Sequence, residues 1–134
     1  MAIGHDVGRM TDPRHALGMA VEAAVAAWLE DAGWTLLARR VRSANGGEVD
    51  IVAVDREQVL VAVEVRARRS ARTGHGATTV DARRVARLRR TLASIAAETT
   101  VPHRGLRVDL VSAEPIPGSA GAWRLSRIRG IDAG

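Results

Sequence analysis

The spacing of apolar positions changes several times along the chain, and each change marks an element. Leu17, Val21, Ala24, Val25, Trp28 and Leu29 recur at helical spacing. Asp12-Pro13 before them reads as a capping acid with proline in the first turn, and Gly33 after them as a C-terminal cap. Trp34 to Arg42 then alternates loosely and predicts a strand, closed by the turn Ser43-Ala44-Asn45-Gly46-Gly47. Val49 to Val54 and Val59 to Val65 are β-branched runs separated by Asp55-Arg56-Glu57-Gln58, so these three strands predict an antiparallel meander.

Residues 68 to 79 read as a polar, glycine-containing loop. Asp81 then caps a second helix, with Val85, Leu88, Leu92 and Ile95 on one face and Arg83, Arg87 and Arg90 largely on the other. Pro102 ends that region, Leu106 to Val111 predicts a fourth strand and Trp123 to Ile128 a fifth. The order α-β-β-β-α-β-β implies an α/β domain, a mixed sheet of four to five strands flanked by helices. One domain is expected over residues 12–129, with tails at 1–11 and 130–134.

No apolar run approaches the roughly 18 residues that span a bilayer. The first residues lack a charged and then apolar leader, so a cytoplasmic protein without membrane contact is expected. Cysteine is absent, which removes disulfides, thiolate metal sites and cysteine nucleophiles. Aromatic residues are three tryptophans, too few for a base-stacking platform.

Charge changes the picture more. The net charge is +5, and all 20 basic residues are arginine. Nine arginines fall between Arg66 and Arg90, where Asp81 is the only acid. Each is a planar, multidentate donor suited to phosphate, and clustering of this kind marks a nucleic-acid footprint.

The acidic residues carry the chemistry. Asp50 and Glu64 each interrupt a β-branched run on consecutive strands, where a lone carboxylate is expensive to bury. Paired across a hairpin they can share one face, and a divalent cation is the usual compensation for two adjacent carboxylates. Mg²⁺ or Mn²⁺ suits such a pair. Arg66, two residues after Glu64, shares its face and could hold a phosphate beside the metal. The alternative is plain ion pairing, Asp50 with a neighbouring arginine and Glu64 with Arg66 or Arg68. His75, between Gly74 and Gly76 in the arginine-rich loop, could touch phosphate or substrate, but a loop histidine with no role is the simpler reading. His5, His15 and His103 show no ligand spacing, and no serine-hydrolase arrangement or glycine-rich phosphate loop occurs.

Gly47-Glu48-Val49-Asp50-Ile51-Val52 followed by Val63-Glu64-Val65-Arg66 resembles the YraN-like family of bacterial proteins. That family is predicted to consist of endonucleases with the PD-(D/E)xK restriction-endonuclease-like core, similar to archaeal Holliday-junction resolvases. The resemblance runs over about residues 17 to 111 and includes Leu17-Gly18 with Glu22, Leu37-Ala38-Arg39 with Arg42, and Arg107-Val108-Asp109. It implies Asp50 and Glu64 as metal ligands with the Val65 carbonyl as a third. Glu22 then approaches from the first helix, as a ligand or holding a metal-bound water; Gly18, Val25 and Leu29 share its face. Four positions depart from the family pattern: Val21 replaces a helix glycine, Arg40 an asparagine, Arg84 a lysine of the second helix and, most important, Arg66 the motif lysine. Arginine cannot serve as a base.

The implied activity is metal-dependent hydrolysis of phosphodiester bonds in DNA, branched or damaged DNA included. Arg68, Arg69, Arg72, Arg83, Arg84, Arg87 and Arg90 would hold the backbone. The resolvase likeness implies a homodimer. The competing expectations are a non-catalytic nucleic-acid-binding protein on the same scaffold and, further off, a basic adaptor for an acidic protein.

Overall fold

The computed structural model describes residues 13–68 and 80–133. The expected loop residues Arg69, Arg72 and His75, the capping Asp12 and the N-terminal tail lie outside them. Helix α1 (Pro13–Asp31) is followed by β1 (Thr35–Arg42), β2 (Glu48–Val54), β3 (Leu60–Ala67), α2 (Ala82–Glu98), β4 (Leu106–Pro115) and β5 (Trp123–Ile128). The predicted α-β-β-β-α-β-β order is therefore the observed one. It forms a five-stranded mixed sheet in the order β1-β2-β3-β4-β5, consistent with a restriction-endonuclease-like fold.

Pairing is antiparallel from β1 to β3, as the meander requires. β3 and β4 run parallel, because α2 carries the chain back along the sheet before β4 begins. β5 returns antiparallel on β4. β4 runs four residues past the expected end at Val111, since its parallel pairing with β3 extends to Ala67–Ala113 and its pairing with β5 to Pro115–Trp123.

Local chemistry sets the helix ends. Gly33 has φ +93°; its N–H donates to Glu30 and that of Trp34 to Leu29, which closes α1 with a left-handed cap. The Asp81 carboxylate accepts from the Arg84 N–H at 2.9 Å and starts α2.

The two helices cover opposite faces of the sheet. Val21, Val25, Ala26 and Leu29 of α1 pack on Ile51, Ala53, Val61, Val63, Val111 and Ala113. Leu88 and Leu92 of α2 pack on Val52, Val54, Leu60, Ala62 and Val108. From Ile51 onward, strand alternation thus sends odd positions of β2 and β3 to α1 and even ones to α2, whereas Val49 at the start of β2 packs on the α2 side. Leu17 and Trp28, expected in the apolar stripe of α1, are exposed, because the helix is alanine-rich all round and only one side meets the sheet.

Residues after β5 do not leave the domain at Gly130. The Ile131 N–H donates to Val108, and Asp132 accepts from the Val108 N–H at 3.0 Å and from Arg89 at 2.6 Å. Among the described residues, no helix is long and apolar enough to cross a membrane.

On the α1 side of β4 lies a buried ion network. Asp109 is fully buried and accepts two hydrogen bonds from Arg107 (2.8 and 3.0 Å), one from Arg127 (2.9 Å) and one from the Gly130 N–H (2.8 Å). Arg107 also meets Asp55 at 2.9 Å, and both arginines stack on the Trp34 ring, 5.9 and 5.2 Å from its centroid. Burial alone would raise the Asp55 carboxyl, but the Val59 and Glu57 N–H groups and Arg107 hold it below its usual range. The Arg-x-Asp of β4 is thereby accounted for structurally.

Candidate active site

The last regular pair between β2 and β3 is Ile51–Val63; the next residue on each strand is Asp50 or Glu64. There the strands part. Instead of a backbone bond, the Val65 N–H donates to the Asp50 carboxylate at 2.8 Å. Glu64 is buried at 2 % exposure, Asp50 is half-buried, and the two carboxyls are close enough for Asp50 to feel the Glu64 charge. Burial pushes the Asp50 carboxyl up to about 7, opposed by the Val65 N–H and reinforced by the Glu64 and Glu22 charges.

Glu64 is held unevenly. Its Oε2 accepts from Arg84 Nε at 2.5 Å and has Arg66 Nε at 3.5 Å, whereas its buried Oε1 has no partner among the described residues. The Glu64 hydrogen bond in turn raises Arg84 above its usual range. Of the alternatives open from sequence, Glu64 thus pairs with Arg66, and more closely with Arg84 of α2.

Glu22 is buried on α1, as its helix face predicts, and its charge is felt at Asp50. Its carboxylate turns to Arg40, however, with Nε at 3.1 Å. Arg40 has φ +53°, an uncommon conformation for a side-chain-bearing residue, and lies across from Asp50 between the pairs Arg39–Ile51 and Val41–Val49. Among the described residues, no three carboxylate or imidazole groups converge on one point. The donor set is the pair Asp50–Glu64, with Glu22 drawn off by Arg40.

This pair fits a hard divalent cation. A buried carboxylate oxygen without a partner, beside a second carboxylate, is a site a cation would satisfy. Mg²⁺ and Mn²⁺ accept two carboxylates with water filling the remaining positions.

Asp50 opens into a cleft of about 330 Å³ lined by Arg42, Arg84 and Arg87, with Gly46, Gly47 and Thr91 along its walls. A second depression of about 320 Å³ continues past Arg87 to Arg90 and Asn45. Arg83 and Arg87 are exposed on α2, like Arg90. Arg68 sits differently: its side chain is only 10 % exposed and meets Glu114 at 3.6 Å, leaving little of it for a phosphate. Thr91 was not singled out from sequence, and Arg40 and Arg42 stood out only in the family resemblance, with no site role; what they do depends on which strand or helix lies opposite.

The turn between β1 and β2 fixes the cleft width. Asn45 accepts from Ser43 and from the Gly47 N–H, and Gly46 has φ +85°. A Cβ on Gly47 would overlap the Thr91 hydroxyl and lie 3.1 Å from the Thr91 Cβ. Glycine is needed here for close approach to α2. Gly47→Ala is expected to lower stability by about 1–3 kcal/mol through overpacking. Adding Thr91→Ala should recover much of that loss in thermal unfolding; strictly additive losses would show that the contact is not the cause.

Residues 21–113 match the family described as Uncharacterised protein family UPF0102. A UPF0102 protein of Burkholderia pseudomallei (strain 1106a) is 38 % identical over 127 residues, covering 94 % of this chain and 84 % of the relative. A UPF0102 protein of Beutenbergia cavernae is 37 % identical over 118 residues, covering 88 % of this chain and 97 % of its own.

Proposed function

The chain belongs to the UPF0102 family, and from the geometry of its paired carboxylates we propose that it is a divalent-metal-dependent endonuclease acting on DNA. The observation that supports this most is the orphaned, buried Oε1 of Glu64 beside Asp50, which itself lines an arginine-rich cleft.

Asp50 and Glu64 would hold Mg²⁺ or Mn²⁺, with the Val65 carbonyl as a further donor. When bound, the ion supplies a water activated near neutral pH and charge neutralisation on the phosphate. The Val65 N–H fixes the Asp50 carboxylate, so its free oxygen keeps one orientation. Glu22, anchored by Arg40 next to Asp50, is placed to hold a water at the site. The arginines along the cleft bind the sugar–phosphate backbone and orient the bond to be cut.

The test is incubation with linear, nicked, flap and four-way-junction DNA, with and without Mn²⁺. Cleavage that requires the metal supports the reading. Binding of DNA with no cleavage of any substrate would leave a nucleic-acid-binding protein on a nuclease scaffold.

The backbone track makes a separate prediction. Arg87→Ala with Arg90→Ala should weaken duplex binding similarly for all sequences, and flatten the slope of log affinity against log salt by roughly 2. The reason is their position along the two joined depressions, with no acidic partner among the described residues. Fluorescence anisotropy across a salt series measures it, and an unchanged slope would place the DNA elsewhere.

A further inference from the structure

We propose that Arg84 of α2, rather than Arg66 of the Glu-x-basic motif, is the catalytic arginine that meets the scissile phosphate, a role that rests on the hydrolytic reading above. Both arginines approach the same oxygen, Glu64 Oε2, but differently. Arg84 Nε lies 2.5 Å from it and Arg66 Nε 3.5 Å. Arg84 lines the cleft into which Asp50 opens; Arg66 is not among its lining residues. The Arg84 hydrogen bond runs through Nε, so its terminal NH₂ groups are not engaged by the described chain.

Glu64 thereby divides its carboxylate. Oε2 faces the arginine, and the unpartnered Oε1 is left for a cation. A phosphate entering the cleft from the Arg87 side meets the Arg84 guanidinium and Asp50, with Glu64 buried next to both. Planar N–H pairs match phosphate oxygens in a two-point contact. In hydrolysis a water oxygen bonds to phosphorus as one P–O ester bond breaks; the water's proton passes to solvent and the leaving oxygen takes one up. Arg84 moves no proton. It donates hydrogen bonds to the non-bridging oxygens, where negative charge builds. Arg66 stands behind it on Glu64 as a positioning residue.

The experiment compares Arg84→Ala, Arg84→Lys, Arg84→Gln and Arg66→Ala in two assays. One is Mn²⁺ titration without DNA, followed by electron paramagnetic resonance; the other is single-turnover cleavage. Arg84→Ala and Arg84→Gln should cut about 10²–10³-fold more slowly, the usual loss for one oxyanion donor. They should also bind Mn²⁺ several-fold more tightly, because a positive charge next to Glu64 is gone. Arg84→Lys should recover part of the rate, and Arg66→Ala should slow cutting less than Arg84→Ala does. Slow cutting with tighter metal binding is a combination that loss of structure would not produce. Arg66→Ala losing more rate than Arg84→Ala overturns the assignment, as does a joint fall of rate and Mn²⁺ affinity in both Arg84→Ala and Arg84→Gln. A wild-type protein that binds Mn²⁺ but cuts nothing overturns the hydrolytic reading, and the Arg84 role with it; an active wild type with unaffected Arg84 variants overturns this proposal alone.

Discussion

Replacing Asp50 or Glu64 by alanine is expected to abolish Mn²⁺-dependent cleavage, on the order of 10³-fold or more, while DNA binding in chelator largely survives. Each carboxylate would supply half of the proposed carboxylate pair, and among the described residues no third acid converges with them; Glu48, at the same cleft, pairs with Arg42. Glu22 is tied to Arg40, and Asp109 and Asp55 are consumed by Arg107 and Arg127 on β4 and β5. On the proposed reading the phosphate contacts would come from the arginines that line the two depressions, Arg42, Arg84, Arg87 and Arg90, none of which is removed. Binding and cutting should therefore separate. Gel cleavage and anisotropy on the same variants measure the two, and metal-dependent cutting that survives Asp50→Ala with Glu64→Ala together would place the site elsewhere.

Asp109 and Asp50 should respond in opposite directions to loss of charge. Asp109→Asn is expected to destabilise the protein by about 3–5 kcal/mol, because it leaves Arg107 and Arg127 facing a neutral group. Asp50→Asn should instead stabilise the metal-free protein at pH 8. The folded Asp50 carboxyl titrates at about 7, above its ordinary 3.8. Folding therefore favours the protonated form. That contribution is full below pH about 4 and is lost as pH rises through about 7. Asparagine keeps an acceptor for the Val65 N–H and offers a donor toward Glu64 without the charge, a gain on the order of 1–2 kcal/mol. Asp55 acts the other way: held below its usual range, it stabilises the fold above its ordinary value and ceases to as pH falls. Thermal unfolding of the metal-free protein from about pH 2 to 8 reads all three. An Asp50→Asn protein that melts lower than wild type at pH 8 would mean that the Asp50 charge is not uncompensated.

The element order was legible in the sequence because periodicity and caps are local. Leu88 and Leu92 at helical spacing, Gly33 after α1 and Asp81 before α2 all did in the fold what they predict in isolation. Asp50 and Glu64 stood out for a similar reason: a carboxylate within a β-branched run signals cost wherever it lands. Glu64 also showed its nearness to Arg66, since residues two apart share a strand face.

Partners across the fold were not legible. No spacing rule brings Arg84 to Glu64 across twenty residues, or Arg40 to Glu22 across eighteen. Arg68 looked like a phosphate ligand from its basic neighbourhood, but Glu114 of β4 already meets it. Gly47 read as a turn glycine, whereas its missing side chain makes room for Thr91 of α2. The sequence by itself determined the elements, their faces and the two acids that interrupt them, because those follow from local propensity and burial. Which arginine neutralises which acid, and how wide the cleft is, only the tertiary structure decided, because charge pairing and close approach depend on distances between segments that the chain brings together only when it folds.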